Sequence, residues 1–104
     1  MRKGEVWWAR LPLPVGTRPV LLLSRDEIYA IREGVTVAPV TTRKRSLVAE
    51  VSLGPQDGMP KECVVNLDSI GTVERALLTQ RICELTPEKM KQVHRAIKFS
   101  LDLP

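Results

Sequence analysis

Aromatic residues are scarce in this chain of 104 residues: two Trp, one Tyr and one Phe. Its core must therefore be mainly aliphatic. Histidine occurs once, as His94, and cysteine twice, as Cys63 and Cys83. Two isolated thiols in different strand-like segments exclude the common zinc spacings and a disulfide framework, which leaves them as small buried hydrophobes. His94 borders an apolar stripe near the C-terminus and reads as structural. No carboxylate or His cluster of the kind that holds a metal is present, so neither a metal nor another cofactor is expected. No apolar run approaches the roughly 18 residues of a membrane span. The first apolar stretch, Val6-Trp7-Trp8-Ala9, is cut by Arg10 and is too short for a secretory leader, so a cytoplasmic protein is expected. Repeats, low-complexity tracts and interdomain linkers are lacking too, and residues 1–104 read as one domain.

What is present is enough apolar material to fold, at 43% of residues, together with an uneven charge. The net charge is +4. Through Val48 there are nine Lys/Arg against four Asp/Glu, a balance of +5, and from Ala49 onward seven against eight, a balance of −1. The first half is where a polyanion would be drawn.

The pattern along the chain is mostly that of strands. Glu5 to Leu11 reads as a first strand, with Trp7 and Trp8 on opposite faces. One Trp belongs in the core; the other belongs at a subunit interface or a base-stacking surface. Pro12 to Thr17 is a loop, because two prolines and a glycine preclude regular pairing. Pro19 to Ser24 is a continuous apolar run suited to a strand buried on both faces. Asp26 to Glu33 fits one or two helical turns ended by Gly34. Val35 to Val40 is β-branched, and Pro39 within it calls for an edge, a bulge or a strand end. After the basic loop Arg43 to Ser46, strands are expected over Val48–Leu53, Glu62–Leu67, Ile70–Val73 and Arg81–Leu85, with a helical turn over Ala76–Leu78. Thr86 then caps a helix with Pro87 and Glu88 in its first turn. Met90, Val93, Ile97 and Leu101 form its apolar stripe. The predicted architecture is mainly β, a small curved antiparallel barrel closed by a C-terminal α-helix.

Two segments carry chemistry. Thr17-Arg18-Pro19-Val20 places an arginine at the mouth of a buried strand, and Pro19 restricts its backbone to extended forms. Pro39-Val40-Thr41-Thr42 ends a second strand with hydroxyls. A fixed guanidinium fork and a hydroxyl held together suit an RNA phosphodiester, whose own 2′-OH is an internal nucleophile. Positioned proton transfer adds roughly 10²–10⁴-fold, and fixed donors facing the developing charge often add more. A surface arginine and a turn threonine are the plain alternatives.

These segments stand in an order shared with others: Lys3-Gly4-Glu5-Val6-Trp7, Val35 to Thr42, Gly58-Met59-Pro60, Val64 to Asp68, Ile70-Gly71-Thr72-Val73, Arg81-Ile82 and Thr86-Pro87-Glu88. Together they resemble the MazF/PemK family of toxin endoribonucleases. The resemblance implies an SH3-like, CcdB-like barrel, a homodimer, metal-independent cleavage of single-stranded RNA to 2′,3′-cyclic phosphate and 5′-OH ends, and neutralisation by a cognate antitoxin whose tail fills the RNA groove. It implies Arg18 as transition-state stabiliser and Thr41 as the residue that binds the phosphate or orients the 2′-OH. Asp68 is implied in acid–base work or in holding a base edge or Arg18, with turn capping as the alternative. Thr42, Arg43, Lys44, Arg45 and Asn66 are implied as RNA contacts. Asn66 and Gly71 stand where some relatives carry arginine, which leaves the general base unassigned. The Leu13–Thr17 loop, which often shapes base recognition in relatives, is short here. Two other readings use the same barrel. A gyrase-binding toxin would cut nothing, and the absence of a terminal Trp counts against it. An inert RNA-binding barrel would bind with strong salt dependence and leave no new ends.

Overall fold

In the computed structural model, which describes residues 1–104, the strands are β1 (Glu5–Arg10), β2 (Thr17–Leu22), β3 (Gly34–Thr41), β4 (Glu50–Leu53), β5 (Cys63–Asn66), β6 (Gly71–Glu74) and β7 (Leu78–Glu84). A one-turn helix α1 (Ile28–Ile31) joins β2 to β3, and α2 (Pro87–Ser100) follows β7. All pairings are antiparallel, in the spatial order β4-β5-β3-β2-β1-β7, with β6 also on β3. The result is a curled half-barrel with a C-terminal helix, the class the sequence predicts. Two register shifts between β1 and β7, at Val6/Trp7 and Trp8/Ala9, add to the curl, since a bulge increases local twist.

Strand β3 is the hub. One edge pairs with β2 through Val37–Pro39; the other pairs first with β6 through Gly34–Val37 and then with β5 through Val40–Thr41. Pro39 fits because of this division. Thr36 turns its N–H and C=O toward β2, donating to Ser24 Oγ at 2.8 Å and accepting from Leu23 N at 2.9 Å. By alternation Pro39 faces the opposite edge, where β6 has ended and β5 has not begun, and its missing N–H costs no ladder bond.

The sheet buries both faces, as the β2 run predicts. Leu21, Ala38, Val40, Leu53, Val65 and Leu67 pack with Val93 and Ala96 of α2 on one side. Val20, Leu22, Val35 and Val37 pack with Tyr29 of α1 and with Trp7 on the other. Helix α2 is capped as expected, Thr86 Oγ1 accepting from Lys89 N at 3.1 Å. Its stripe differs at one end: Ala96 is buried, whereas Leu101 lies past the last turn and is exposed. Strand ends differ as well: β2 runs Thr17–Leu22 instead of Pro19–Ser24, β1, β5 and β6 shift by one residue at one or both ends, and β4 and β7 start elsewhere. β4 begins at Glu50 because the Glu50 carboxylate accepts from Arg45 N at 3.0 Å and Leu47 N at 3.1 Å, holding the preceding residues in a turn. β7 begins at Leu78 because its own Ile82 and Thr79 are skipped in the register with β1, so that Ala9 stands opposite Leu78; a 3-10 turn over Arg75–Leu77 precedes it. His94 lies on the outer side of α2; partial desolvation and the nearby Lys3 and Lys98 lower its pKa.

Candidate active site

Arg18 sits in the exposed start of β2, opposite Ala9 of β1, with Pro19 opposite Trp8. Thr41 is the last residue of β3, opposite Val64 of β5. Because β2 and β3 are hydrogen-bonded neighbours that splay apart at this end, the two residues line one cleft of about 560 Å³. Thr17, Pro19, Val40, Thr42 and Trp8 complete the strand-side wall, and Met59, Pro60, Lys61 and Cys63 come from the connection into β5. The lining holds two cations, three threonine hydroxyls, and no carboxylate or imidazole.

The two central side chains are left open for an anion. Arg18 donates from Nη1 to the carbonyl of Thr17 at 3.1 Å and forms no ion pair. Its fork is oriented by the backbone without being neutralised. Thr41 Oγ1 accepts from Arg43 N at 3.1 Å. That bond fixes the hydroxyl rotamer and occupies one lone pair, leaving the O–H to donate. Such an arrangement has the chemistry to bind a phosphate and to offer fixed donors to charge building on it.

The remaining predicted residues divide. Thr42 lines the cleft and also an adjoining hollow of about 260 Å³ shared with Lys44, Ser52, Glu62 and Cys63. Arg43, Lys44 and Arg45 lie exposed on the loop beyond Thr41, with Arg45 N anchored on Glu50 at 3.0 Å. Asn66 and Asp68 do not line the cleft. Asn66 Oδ1 accepts from Asp68 N at 2.9 Å, capping a 3-10 turn over Leu67–Ser69, and the Asp68 carboxylate is exposed with no bond to Arg18. Trp8 is the tryptophan that reaches the cleft, while Trp7 packs in the core and donates from Nε1 to Glu5 Oε1 at 3.0 Å. Lys61 is the cleft residue that sequence reasoning missed; the signal for it was its place directly after Gly58-Met59-Pro60.

Burial pushes the Cys63 thiol up, with Cys83 and acidic neighbours adding, so it stays protonated and is a poor nucleophile. Nowhere in the fold do three or more His, Cys, Asp or Glu side chains converge as a metal site would require.

Residues 2–101 match the family described as PemK-like, MazF-like toxin of type II toxin–antitoxin system. The chain is 39% identical over 101 residues to the probable endoribonuclease MazF5 of Mycobacterium tuberculosis, spanning 96% of this chain and 92% of that protein. Among solved structures it superposes on the Mycobacterium tuberculosis toxin MazF-mt6 with a TM-score of 0.88 and 31% identity, over 96% of this chain and 98% of the other. It superposes equally on a mycobacterial endoribonuclease solved with its cognate antitoxin, with a TM-score of 0.87 and 28% identity, over 100% and 97% of the two chains.

Proposed function

Because the chain belongs to the PemK-like, MazF-like toxin family of type II toxin–antitoxin systems and is an endoribonuclease of that kind, we propose that it cuts single-stranded RNA without a metal, in the Arg18–Thr41 cleft. The observation that carries this reading is an unpaired guanidinium beside a threonine whose hydroxyl hydrogen is free, in a lining without carboxylates. A phosphodiester entering such a cleft meets two cations and no anionic side chain in the lining.

In the proposed reaction the RNA 2′-oxygen attacks phosphorus as the P–O5′ bond breaks. One proton leaves the 2′-OH and one reaches the departing 5′-oxygen, giving 2′,3′-cyclic phosphate and 5′-OH ends. Arg18 grips two phosphate oxygens and stabilises the added charge; Thr41 donates to one of them. Thr42, Arg43, Lys44 and Arg45 hold flanking nucleotides. Asn66 and Asp68, outside the cleft, are assigned contacts beyond the reacting group and no part in bond cleavage. The protein acts as a homodimer on cytoplasmic RNA, selecting a short sequence, and a cognate antitoxin protein silences it by filling the same cleft. A related mycobacterial endoribonuclease solved in complex with its cognate antitoxin supports a partner of this kind.

The test is a long mixed-sequence RNA incubated with the protein in EDTA, with the new ends mapped. Cuts at a short recurring sequence, abolished by a 2′-deoxy sugar at each site, are the expected result. Cleavage that EDTA abolishes, or that survives the 2′-deoxy change, would overturn the mechanism.

A further inference from the structure

Arg18 is not alone in the cleft: Lys61 reaches it from a different part of the fold. The segment carrying Lys61 is held at both ends. Gly58 closes the 3-10 turn over Pro55–Asp57 at φ +95°, and a Cβ there would lie 2.7 Å from the Cβ of Cys83, so the turn is pressed against β7. Met59 is 5% exposed and its N donates to the Gly54 carbonyl at 3.2 Å. Two residues beyond Lys61, Cys63 is buried and paired opposite Leu53. Between these anchors Pro60 limits the backbone further, while the Lys61 side chain is exposed and forms no ion pair. The next residue, Glu62, faces the adjoining hollow and not the cleft. The two neighbouring charges are thus sorted into separate hollows.

We propose that Lys61 binds the phosphate adjacent to the scissile one, fixing the register of the RNA while Arg18 serves the reacting group. The inference rests on the ribonuclease reading above and extends it to a residue outside the strand pair that carries the chemistry. A lysine suits this role because it offers a point charge on a flexible stem, good for holding a phosphate and poor at the bidentate grip needed on the reacting one. In the second hollow Lys44 shares the lining with the Glu62 carboxylate, whereas the cleft around Lys61 has no carboxylate, which favours the neighbouring phosphate on the Lys61 side.

The experiment compares wild type, Lys61→Gln and Lys61→Arg. Binding to an RNA oligonucleotide carrying a 2′-deoxy sugar at the cleavage site is measured over a range of salt, and steady-state cleavage of the unmodified oligonucleotide is measured in parallel. Loss of one phosphate contact on a single strand should reduce the slope of log K against log salt by about 0.7. K61Q should also raise KM roughly tenfold with kcat within about twofold, and K61R should restore both slope and KM. A K61Q slope and KM equal to wild type would remove Lys61 from the site, and a fall confined to kcat would place it on the reacting phosphate instead. Wild-type protein that neither binds nor cuts any RNA would remove the ribonuclease reading along with this one.

Discussion

Replacing Arg18 with alanine separates folding from chemistry more cleanly than any other single change in this protein. The guanidinium makes one internal contact, an exposed hydrogen bond to the adjacent Thr17 carbonyl, and no ion pair. Its loss should therefore shift unfolding free energy by no more than about 0.5 kcal/mol, the range of ordinary surface substitutions. In the proposed mechanism the same group supplies two donors to the charge growing on phosphorus. Removing one such preorganised donor costs roughly 10²–10³ in rate, about 2.7–4 kcal/mol of transition-state stabilisation, and a charged bidentate fork stands at or above that range. Arg18→Lys keeps the charge but not the fork, so it should recover only part of the rate. The assay is single-turnover cleavage of a defined RNA oligonucleotide alongside a urea unfolding curve. Cleavage by Arg18→Ala within tenfold of wild type, with folding intact, would refute the assignment. A large drop in stability would show instead that the side chain serves the fold.

Other perturbations follow from the same geometry. Thr41→Val should slow cleavage by about 100-fold because it removes the donor to the phosphate, whereas Thr41→Ser should stay close to wild type; equal loss in both would point to the methyl group and packing. Glu5 is buried, and although burial alone would raise its pKa, bonds from Trp7 and the Arg2 backbone N, with the N-terminus and Arg81, bring it below the usual value. A lowered native pKa gives stability that is complete above the unfolded value of roughly 4.3 and is lost as pH falls through the native value. Glu5→Gln should therefore cost about 1–3 kcal/mol near neutrality and make the acid side of the stability profile shallower, as measured by urea midpoints against pH. Leu67, fully buried between β5 and β6 against the α2 side of the core, should cost about 2–5 kcal/mol on truncation to alanine without changing the salt dependence of RNA binding, which equilibrium unfolding and a binding titration would check.

Much of this architecture is legible in the sequence because its strongest signals are local. The apolar run of β2, the β-branched run of β3 and the capped, periodic α2 each declare themselves within a few residues, and the bringing together of Arg18 and Thr41 needs only that β2 and β3 pair. What was not legible depends on contacts between distant segments. The start of β4 is set by the Glu50 carboxylate turning back on Arg45 and Leu47, and the start of β7 by its two residues, Thr79 and Ile82, skipped in the register with β1, which break the alternation by which a strand is recognised. Lys61 reads as one charged residue after a turn until the Leu53–Cys63 pairing places it in the cleft. Asn66 and Asp68 follow an apolar strand, but the turn after β5 carries them away from the cleft, with the Asn66 side chain accepting from the Asp68 backbone N.

Strand β3 touches three other strands and ends in Thr41, so the cleft inherits the cooperativity of the whole sheet. Detaching β2 removes Arg18, detaching β5 removes the support of Lys61, and neither strand can leave without opening the core that β3 shares with α2. On the proposed mechanism, a molecule that loses either strand loses cutting power with it. For a toxin, such coupling ties the assembly of the proposed cleft to the folding of the whole sheet, so the harmful activity would appear only with the folded molecule.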